Sequence, residues 1–230
     1  MKDNNWIVDY CKAQVGRPYW FGTFGQIGSA SLFETKKSQY PANYPPKKFT
    51  KDSFVKQYGK KVHDCAGLIK GALWCDSFDD PTPSYRASED YGANKFFTNA
   101  TTNGKMDSFI DIPGILVFKG TDKQKSHVGV YIGNGKVIEA KGHSYGVVVS
   151  DLSDWKYWAK CNLFVYITDV VNSPAPVANG GYTASEIQAA KDCIKGKYGN
   201  GAARKVKLKH AGFDPVRIQG LVNKILRGEF

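Results

Sequence analysis

Two residues of the chain, Cys65 and His127, have types and settings suited to nucleophilic catalysis. Cys65 follows Asp64 and precedes the run Ala-Gly-Leu-Ile, a pattern typical of a helix that begins at the cysteine with Asp64 as its N-cap. A thiol in the first turn meets the positive end of the helix dipole, which favours the thiolate. His127 follows 62 residues later at the start of a strand-like segment. The pair therefore predicts a thiol nucleophile with an imidazole base.

A β-hairpin predicted around His127 supplies a third polar group. Residues 126–140 have the pattern of a strand, an Asn-Gly turn and a second strand. In that register Glu139 falls near the position opposite His127, from which it would orient the imidazole. His143 and Asp151 are the rival candidates for this third position.

These segments resemble the NlpC family of papain-like cysteine peptidases, which cut bacterial cell-wall peptides, from residue 5 to about residue 168. The motifs, in chain order, are Gly16-Arg17-Pro18-Tyr19, Asp64-Cys65-Ala66-Gly67-Leu68, Pro113-Gly114-Ile115-Leu116 and His127-Val128-Gly129-Val130-Tyr131-Ile132. The resemblance implies an α+β fold in which N-terminal helices pack on a central antiparallel sheet. It also implies a Cys-His-polar triad that works through a thioester acyl-enzyme.

The resemblance assigns a role to each matching residue. Cys65 would be the nucleophile, His127 the general base and acid, and Glu139 the third group, where the family usually has His, Asn or Gln. Tyr19, beside the nucleophile, and Asp64 would support the substrate or the oxyanion. The backbone N–H of Cys65 would be a further oxyanion donor.

Two departures from the family bear on the bond that is cleaved. Ala66 stands where the family often has Ser, and Ile115 where it often has Asp. In the family that Ser helps to hold the amino end of the peptide, so the usual preference for a free amino terminus does not carry over. Endopeptidase action on the stem peptide is favoured, while N-acetylmuramoyl-L-alanine amidase and cross-bridge cleavage stay open. Two hypotheses of a different class are a non-catalytic cell-wall-binding protein and a lipid acyltransferase.

The stretch from residue 21 to 62 is long for the link between the Tyr19 motif and the Cys65 helix. It shows little helical periodicity, so we expect an ordered loop that covers the cleft. Its aromatic residues would either stack on substrate or shield the core; they are Tyr40, Tyr44 and Phe49. By contrast, three tryptophans are expected first in the core, namely Trp20, Trp74 and Trp155.

The composition changes after residue 170, where small residues and proline mark a linker at 171–181 between a catalytic domain, 1–170, and a module, 182–230. Three short helices are expected in the module: one capped by Thr183 or Ser185 and running through Ile194, one over 202–210, and one capped by Asp214 and ending near Leu226. The module resembles the Cpl-seven type cell-wall-binding repeat. That resemblance assigns wall binding to Tyr198, Asn200 and Arg204; a basic bundle with an unrelated partner is the competing interpretation.

Charge and composition narrow the partners. The chain carries 32 basic and 21 acidic residues, a net charge of +11 that suits an anionic bacterial wall but would attract nucleic acid or anionic lipid equally. Nucleic-acid recognition motifs, zinc-ligand spacings and a transmembrane run are absent from the sequence, so we expect peptidoglycan as partner, no metal or cofactor, and a monomer. Five cysteines without framework spacing indicate free thiols. The first residues lack a secretory signal, which suggests a phage endolysin or a protein whose leader has been removed.

Overall fold

The computed structural model describes residues 2–45, 50–167, 182, 184–211 and 213–229. The chain forms two compact units, Met1–Tyr166 and Ile167–Phe230. The predicted linker at 171–181 and Phe49 lie outside the described residues, and the predicted domain boundaries stay predictions.

The first unit mixes helices and antiparallel strands. In chain order they are α1 (Asn4–Gln14), β1 (Phe24–Ile27), α2 (Ala30–Gln39), α3 (Lys51–Val55), β2 (Lys61–His63), α4 (Cys65–Trp74), α5 (Ala93–Thr98), β3 (Thr102–Lys105), β4 (Leu116–Gly120), β5 (Lys125–Tyr131), β6 (Lys136–Gly142), β7 (Gly146–Asp151) and β8 (Tyr157–Lys160). Strands β1 and β2 pair with each other, and the others form one sheet in the order β3-β8-β4-β5-β6-β7. The predicted α+β fold with a central antiparallel sheet is confirmed.

The hairpin of β5 and β6 has the turn that the sequence predicted. Asn134 and Gly135 both have positive φ, 54° and 67°, as a tight hairpin turn requires. Val130 pairs with Ile138, so the register agrees with the one expected from the turn. Because the register fixes which side chains share a face, this turn decides which residues of β6 lie near His127.

The core of this unit lies between the sheet and the helices α1 and α4, with Ile7, Leu68, Ile69, Val117 and Val130 among its fully buried members. A Cβ at Gly67 would stand only 1.8 Å from the Thr23 carbonyl oxygen, so glycine is required there. This close approach sets the first turn of α4 against the segment that follows Tyr19. Trp20, Trp74 and Trp155 are buried, as predicted.

The loop predicted over residues 21–62 is wrong, because this stretch contains β1, α2, α3 and β2. Helix α2 buries only Phe33 and Lys36, so its sequence gives a weak hydrophobic period. Its packing is tertiary: Phe33 belongs to a separate buried cluster with Trp20, Tyr44, Phe54 and Val62. Helix α2 begins after Ser29, whose side chain accepts from the backbone N–H of Leu32.

The second unit has the three predicted helices, α6 (Ala184–Ile194), α7 (Gly201–His210) and α8 (Pro215–Leu226). Asp214 caps α8 by accepting from the N–H groups of Val216 and Arg217. Ser185 lies inside the first turn of α6 and is not its cap, while Thr183 lies outside the described residues. A small apolar core closes the unit, formed by Ala189, Ala190, Cys193, Leu208, Ile218, Leu221 and Val222.

Candidate active site

Cys65 is the first residue of α4, and its cap fixes its position. The Asp64 side chain accepts from the backbone N–H of Gly67 at 2.6 Å and from that of Gly22 at 2.8 Å. One carboxylate therefore satisfies a free N–H of the helix start and also ties the helix to the segment after Tyr19. Both oxygens are occupied by the backbone, so Asp64 holds the cysteine in place.

The thiol opens on a cleft of about 760 Å³ in the first unit. The cleft is lined by residues around the cysteine, by α2 and by the residues just before His127, among them Asp64, Ala66, Lys36, Tyr40 and Ser126. The backbone N–H of Val128 lies beside the sulfur of Cys65, which brings the start of α4 against β5. The sequence predicted this approach of Cys65 to the His127 strand.

His127 and Glu139 form a short hydrogen bond, with Nε2 of the imidazole 2.6 Å from Oε2 of the carboxylate. Burial would raise the pKa of Glu139, but the hydrogen bond to His127, the neighbouring Ser150 hydroxyl and the charges of His127 and Lys119 lower it overall. An ionised carboxylate only accepts, so Nε2 of His127 carries the proton and donates it. The neutral imidazole then has its lone pair on Nδ1, the nitrogen available to act as a base.

Lys119 and Trp155 complete the surroundings of the imidazole. Trp155 stacks on His127 with ring centroids 5.6 Å apart and planes 18° apart. Lys119 pairs with His127 across β4 and β5, and its Nζ lies 3.7 Å from Glu139 Oε1 and 4.5 Å from the Trp155 ring centroid. The stacking, the ion pair of Lys119 with Glu139 and the cation–π contact of Lys119 with Trp155 hold the His127–Glu139 pair in one geometry.

The prediction that the helix start favours the thiolate of Cys65 is wrong for the site without substrate. Burial, and secondarily the Asp64 carboxylate, raise the pKa of Cys65 to about 12, although the backbone N–H groups of Val128, Ala66 and Cys65 act in the opposite direction. The helix start does supply N–H groups, but desolvation of the sulfur outweighs them. The cysteine therefore rests as a thiol near neutral pH.

Tyr19 lies near both Asp64 and Cys65. Burial, with Asp64 and Cys65 adding to it, raises the pKa of the Tyr19 hydroxyl well above its usual range. The phenol is therefore neutral and able to donate a hydrogen bond. Its ring packs edge-on against His143, with centroids 5.1 Å apart.

The two rival third groups lie elsewhere. His143 packs among aromatic rings, with Tyr44 and Phe54 at centroid distances of 5.1 and 5.6 Å. Asp151 forms a surface ion pair with Lys136. Of the three candidates for the third polar position, Glu139 is the one that the structure brings to Nε2 of His127.

The predicted stacking wall is only partly available. Tyr40 is 37% exposed and lines the cleft. Tyr44, in contrast, is fully buried and donates its hydroxyl proton to the Phe21 carbonyl, so of the two expected alternatives it has the one in which it shields the core. The reason is that the Tyr44 ring packs into the buried cluster that contains Phe33.

In the second unit, two of the residues assigned to wall binding, Tyr198 and Asn200, lie in the turn between α6 and α7, and the third, Arg204, lies in the first turn of α7. Arg204 donates to the Gly199 carbonyl at 2.8 Å, to Asn200 Oδ1 at 2.8 Å and to Gln219 Oε1 at 3.0 Å. Tyr198 packs against the small apolar core. Arg204 and Asn200 therefore brace the turn, and their contact with a wall ligand stays a prediction.

Sequence reasoning missed several site residues. Lys36 was hidden in the supposed loop, and Lys119 has no motif of its own. Trp155 was expected only as core, yet it also supports His127. One signal for the contact with Trp155 was present in the sequence, namely Gly129, two residues after His127. A glycine inside a strand often marks a close approach of another group. Here a Cβ at Gly129 would stand 2.7 Å from the Trp155 ring.

Within the described residues, no His, Cys, Asp and Glu side chains gather in a group of three or more that could hold a metal ion, and none of the helices there is long and apolar enough to cross a membrane. All five cysteines are free thiols, four of them buried.

Comparison with family profiles matches residues 53–166 to the NlpC/P60 family and residues 188–226 to the CW_7 repeat. Comparison with curated proteins gives no match.

Among solved structures, NlpC1 from Trichomonas vaginalis is 17% identical, with 70% of this chain and 44% of that chain covered and a TM-score of 0.41. NlpC2 from the same organism is 15% identical, with 69% and 46% covered and a TM-score of 0.41. The peptidoglycan hydrolase RipB from Mycobacterium tuberculosis is 19% identical, with 68% and 63% covered and a TM-score of 0.40. The chain thus spans less than two thirds of the length of each of these three.

Proposed function

We propose that this chain is a cysteine peptidase that hydrolyses an amide bond of the peptidoglycan stem peptide. The chain carries an NlpC/P60 domain and a CW_7 repeat, as its motifs predicted. One observation carries the proposal: Cys65 opens on a cleft at the start of α4, beside the strand that holds the hydrogen-bonded pair His127–Glu139. A thiol, an imidazole and a buried carboxylate in this order are the parts of covalent acyl transfer.

The first step is attack by the Cys65 sulfur on the carbonyl carbon of the scissile amide. Because the resting group is a thiol, Nδ1 of His127 takes its proton as the sulfur–carbon bond forms. Glu139 stabilises the imidazolium that results, through its hydrogen bond to Nε2. The thiolate then exists only while it reacts, and the buried sulfur is never left as an isolated anion.

The tetrahedral oxyanion would be held by the backbone N–H of Cys65, in the first turn of α4, and by the neutral hydroxyl of Tyr19. His127 then protonates the leaving amine, which departs and leaves a thioester. Water, deprotonated by the same imidazole, attacks the thioester and releases the carboxylic acid.

Within this reaction class we favour an endopeptidase, with N-acetylmuramoyl-L-alanine amidase as the alternative. Ala66 lines the cleft and offers no hydroxyl to a peptide amino terminus, so substrates without a free amino end are expected to be accepted as well. A wall-binding protein with an inactive first domain is disfavoured, because such a protein would have no need of a thiol, an imidazole and a carboxylate in this arrangement.

The C-terminal module would hold the enzyme on the wall. Linking a weak wall-binding site to a catalytic domain raises the local concentration of substrate without any new contact in the cleft. The endolysin assignment and the monomeric state remain predictions of the sequence.

The test is digestion of purified cell walls by the chain and by its Cys65→Ala variant, with mass spectrometry of the released fragments and labelling of new amino termini. A new amino end at an interior residue of the stem peptide would identify an endopeptidase, whereas a new amino end at L-alanine, with release of the intact stem peptide, would identify the amidase. Loss of the nucleophile should slow turnover by roughly 10⁶-fold. Cys193→Ala, which removes a thiol outside the cleft, should keep its activity on soluble fragments. Equal release by wild type and Cys65→Ala would refute cysteine catalysis.

A further inference from the structure

Lys36, on α2, is a buried cation that lines the same cleft as Cys65. The residue is only 8% exposed, and its Nζ donates to Gln39 Oε1 at 3.0 Å while lying 5.8 Å from the Tyr40 ring centroid. Helix α2 precedes the segment matched to the NlpC/P60 family, so Lys36 lies outside the matched residues.

The other cleft lysines are already neutralised or bonded. Lys70 pairs with Asp90 at 2.7 Å, and Lys125 donates to the carbonyl oxygens of Thr121 and Asp122 at 2.6 and 3.2 Å. Lys36 has no carboxylate within ion-pair distance among the residues that the structure describes. The nearest negative charges that act on it are those of Asp64 and Asp90, and Asp64 is occupied by two backbone N–H groups.

A buried ammonium group without an acidic partner is costly to the fold. Burial lowers the pKa of Lys36, with Lys70 adding to it, and the more distant Asp64 and Asp90 only partly oppose this. An anion that entered the cleft would pair with this charge, and the low-dielectric setting would strengthen the pair that forms. The cleft is where a substrate would bring that anion.

We propose that Lys36 is a specificity-determining residue that binds a carboxylate of the peptide substrate, and that the cleft thereby selects peptides with a free carboxylate over their carboxamide counterparts. This proposal rests on the proposed function for the identity of the substrate as a peptide. The ligand is a peptide carboxylate; a phosphate of a wall polymer would offer similar chemistry and is separated from it by the choice of probe.

The test uses two soluble synthetic stem peptides that contain no phosphate and differ only in one group, a carboxylate or the corresponding carboxamide. Hydrolysis of each is measured with wild type, Lys36→Met, Lys36→Arg and, as a matched control, Lys37→Met. Lys37 is the next residue on α2, but its side chain is 40% exposed and its Nζ lies 3.9 Å from Glu34 Oε2. Binding of the same peptides, and of inorganic phosphate, is measured calorimetrically in the Cys65→Ala background, with and without Lys36→Met.

For the carboxylate peptide, Lys36→Met should lower kcat/KM by about 10- to 100-fold, mostly through KM, because a charge-assisted hydrogen bond is lost in both ground and transition states. The carboxamide peptide should be cleaved equally by wild type and Lys36→Met. Lys36→Arg should keep most of the selectivity, and Lys37→Met should behave as wild type. Thermal unfolding of Lys36→Met should occur at the same temperature or higher, since a buried charge is removed.

Equal losses on both peptides, or unchanged selectivity in Lys36→Met, would overturn the assignment of Lys36 even if the peptides are hydrolysed. Conversely, charge-selective binding in the Cys65→Ala background without hydrolysis by wild type would support the carboxylate site and count against the proposed reaction. Selective binding of inorganic phosphate over both peptides would also overturn the proposal.

Discussion

At the residue scale, the proposed chemistry depends on a carboxylate that is almost fully buried yet ionised. The Glu139 side chain is 1% exposed, and its negative charge is kept by His127, Ser150 and Lys119. Its hydrogen bond sets the tautomer of His127: with an acceptor at Nε2, the lone pair is on Nδ1, the atom proposed as the base. If Glu139 is the third catalytic group, as the resemblance implies, the proposed site has a full charge at that position.

Replacing Glu139 should separate the effect of the charge from the effect of orientation. We expect Glu139→Gln to lower kcat by about tenfold, because the amide oxygen still accepts from Nε2 but a neutral hydrogen bond stabilises the imidazolium less. Glu139→Ala should lower kcat by about 10³-fold, since the tautomer and the ring orientation are no longer fixed. Steady-state kinetics on a soluble stem peptide measures both.

The surface carboxylate Asp151 supplies the control for this prediction. Asp151→Asn removes the rival third group, which is paired with Lys136 away from the imidazole, and should leave kcat within about twofold of wild type. An Asp151→Asn variant as impaired as Glu139→Ala, or a fully active Glu139→Ala, would show that Glu139 does not have the role given to it.

At the element scale, the sequence predicted those parts whose signals are local. The cap Asp64, the Asn134-Gly135 turn and the helices of the second unit each follow from a few neighbouring residues, and the structure has them. The hairpin register then brought Glu139 near His127, so the core of the site was predictable as well.

The parts that could not be predicted depend on contacts between distant segments. Helix α2 has few apolar residues and is held by Trp20 and Phe54 from outside it, so its own periodicity is weak. The resting pKa of Cys65 follows from how deeply its sulfur is desolvated, which no local pattern reports. The place of Lys36 in the cleft likewise depends on how α2 packs, which its own sequence does not specify.

A buried hydrogen-bond network joins three elements behind the site and makes the free energy of unfolding depend on pH. The Tyr10 hydroxyl of α1 lies 2.9 Å from Nε2 of His63, at the end of β2, and 3.8 Å from the sulfur of Cys75, just after α4. His63 is fully buried, and this burial, with Lys61 and Arg17 adding to it, lowers the pKa of His63 to about 3. The folded protein therefore keeps this imidazole neutral at any pH above about 3.

Because the unfolded chain protonates His63 near its ordinary pKa of 6.5, the unfolded state binds more protons than the folded state between pH 6.5 and about 3. The free energy of unfolding should fall as the pH falls through this window, by up to about 1.4 kcal/mol per pH unit from His63, and this term should be constant above pH 6.5. Urea unfolding at several pH values, compared with His63→Gln, measures it: the variant should show a flatter dependence.

Tyr10→Phe is the matched variant for this network. It removes the hydrogen bond to His63 but leaves the imidazole buried, so it should lower stability by about 1 kcal/mol at every pH while keeping the pH slope of wild type. A His63→Gln variant with the wild-type slope would assign the acid sensitivity to other groups.

At the scale of the whole molecule, the second unit carries a disproportionate share of the charge. From residue 182 onward there are ten basic and four acidic residues, so about a fifth of the chain supplies +6 of the net +11. Lys205, Lys207 and Lys209 are exposed on α7. If the module holds the enzyme on an anionic wall, these charges should affect activity on walls and leave cleavage of soluble peptides alone, because the cleft lies within the first unit.

Replacing these three lysines by glutamine should weaken binding to purified walls by about tenfold, since exposed charges contribute at most about 1 kcal/mol each and less as salt is added. Co-sedimentation at about 50 mM and about 500 mM salt, roughly bracketing a Debye length of 10 Å, measures the change together with its salt dependence. Replacement of Lys56, Lys60 and Lys123, three exposed lysines of the first unit, gives the same net charge. If that control weakens binding equally, attraction to the wall depends on net charge alone and the module has no special part in it. If only the α7 variant binds more weakly, with unchanged kcat/KM on soluble peptide, the second unit binds the wall while the first unit cleaves the substrate.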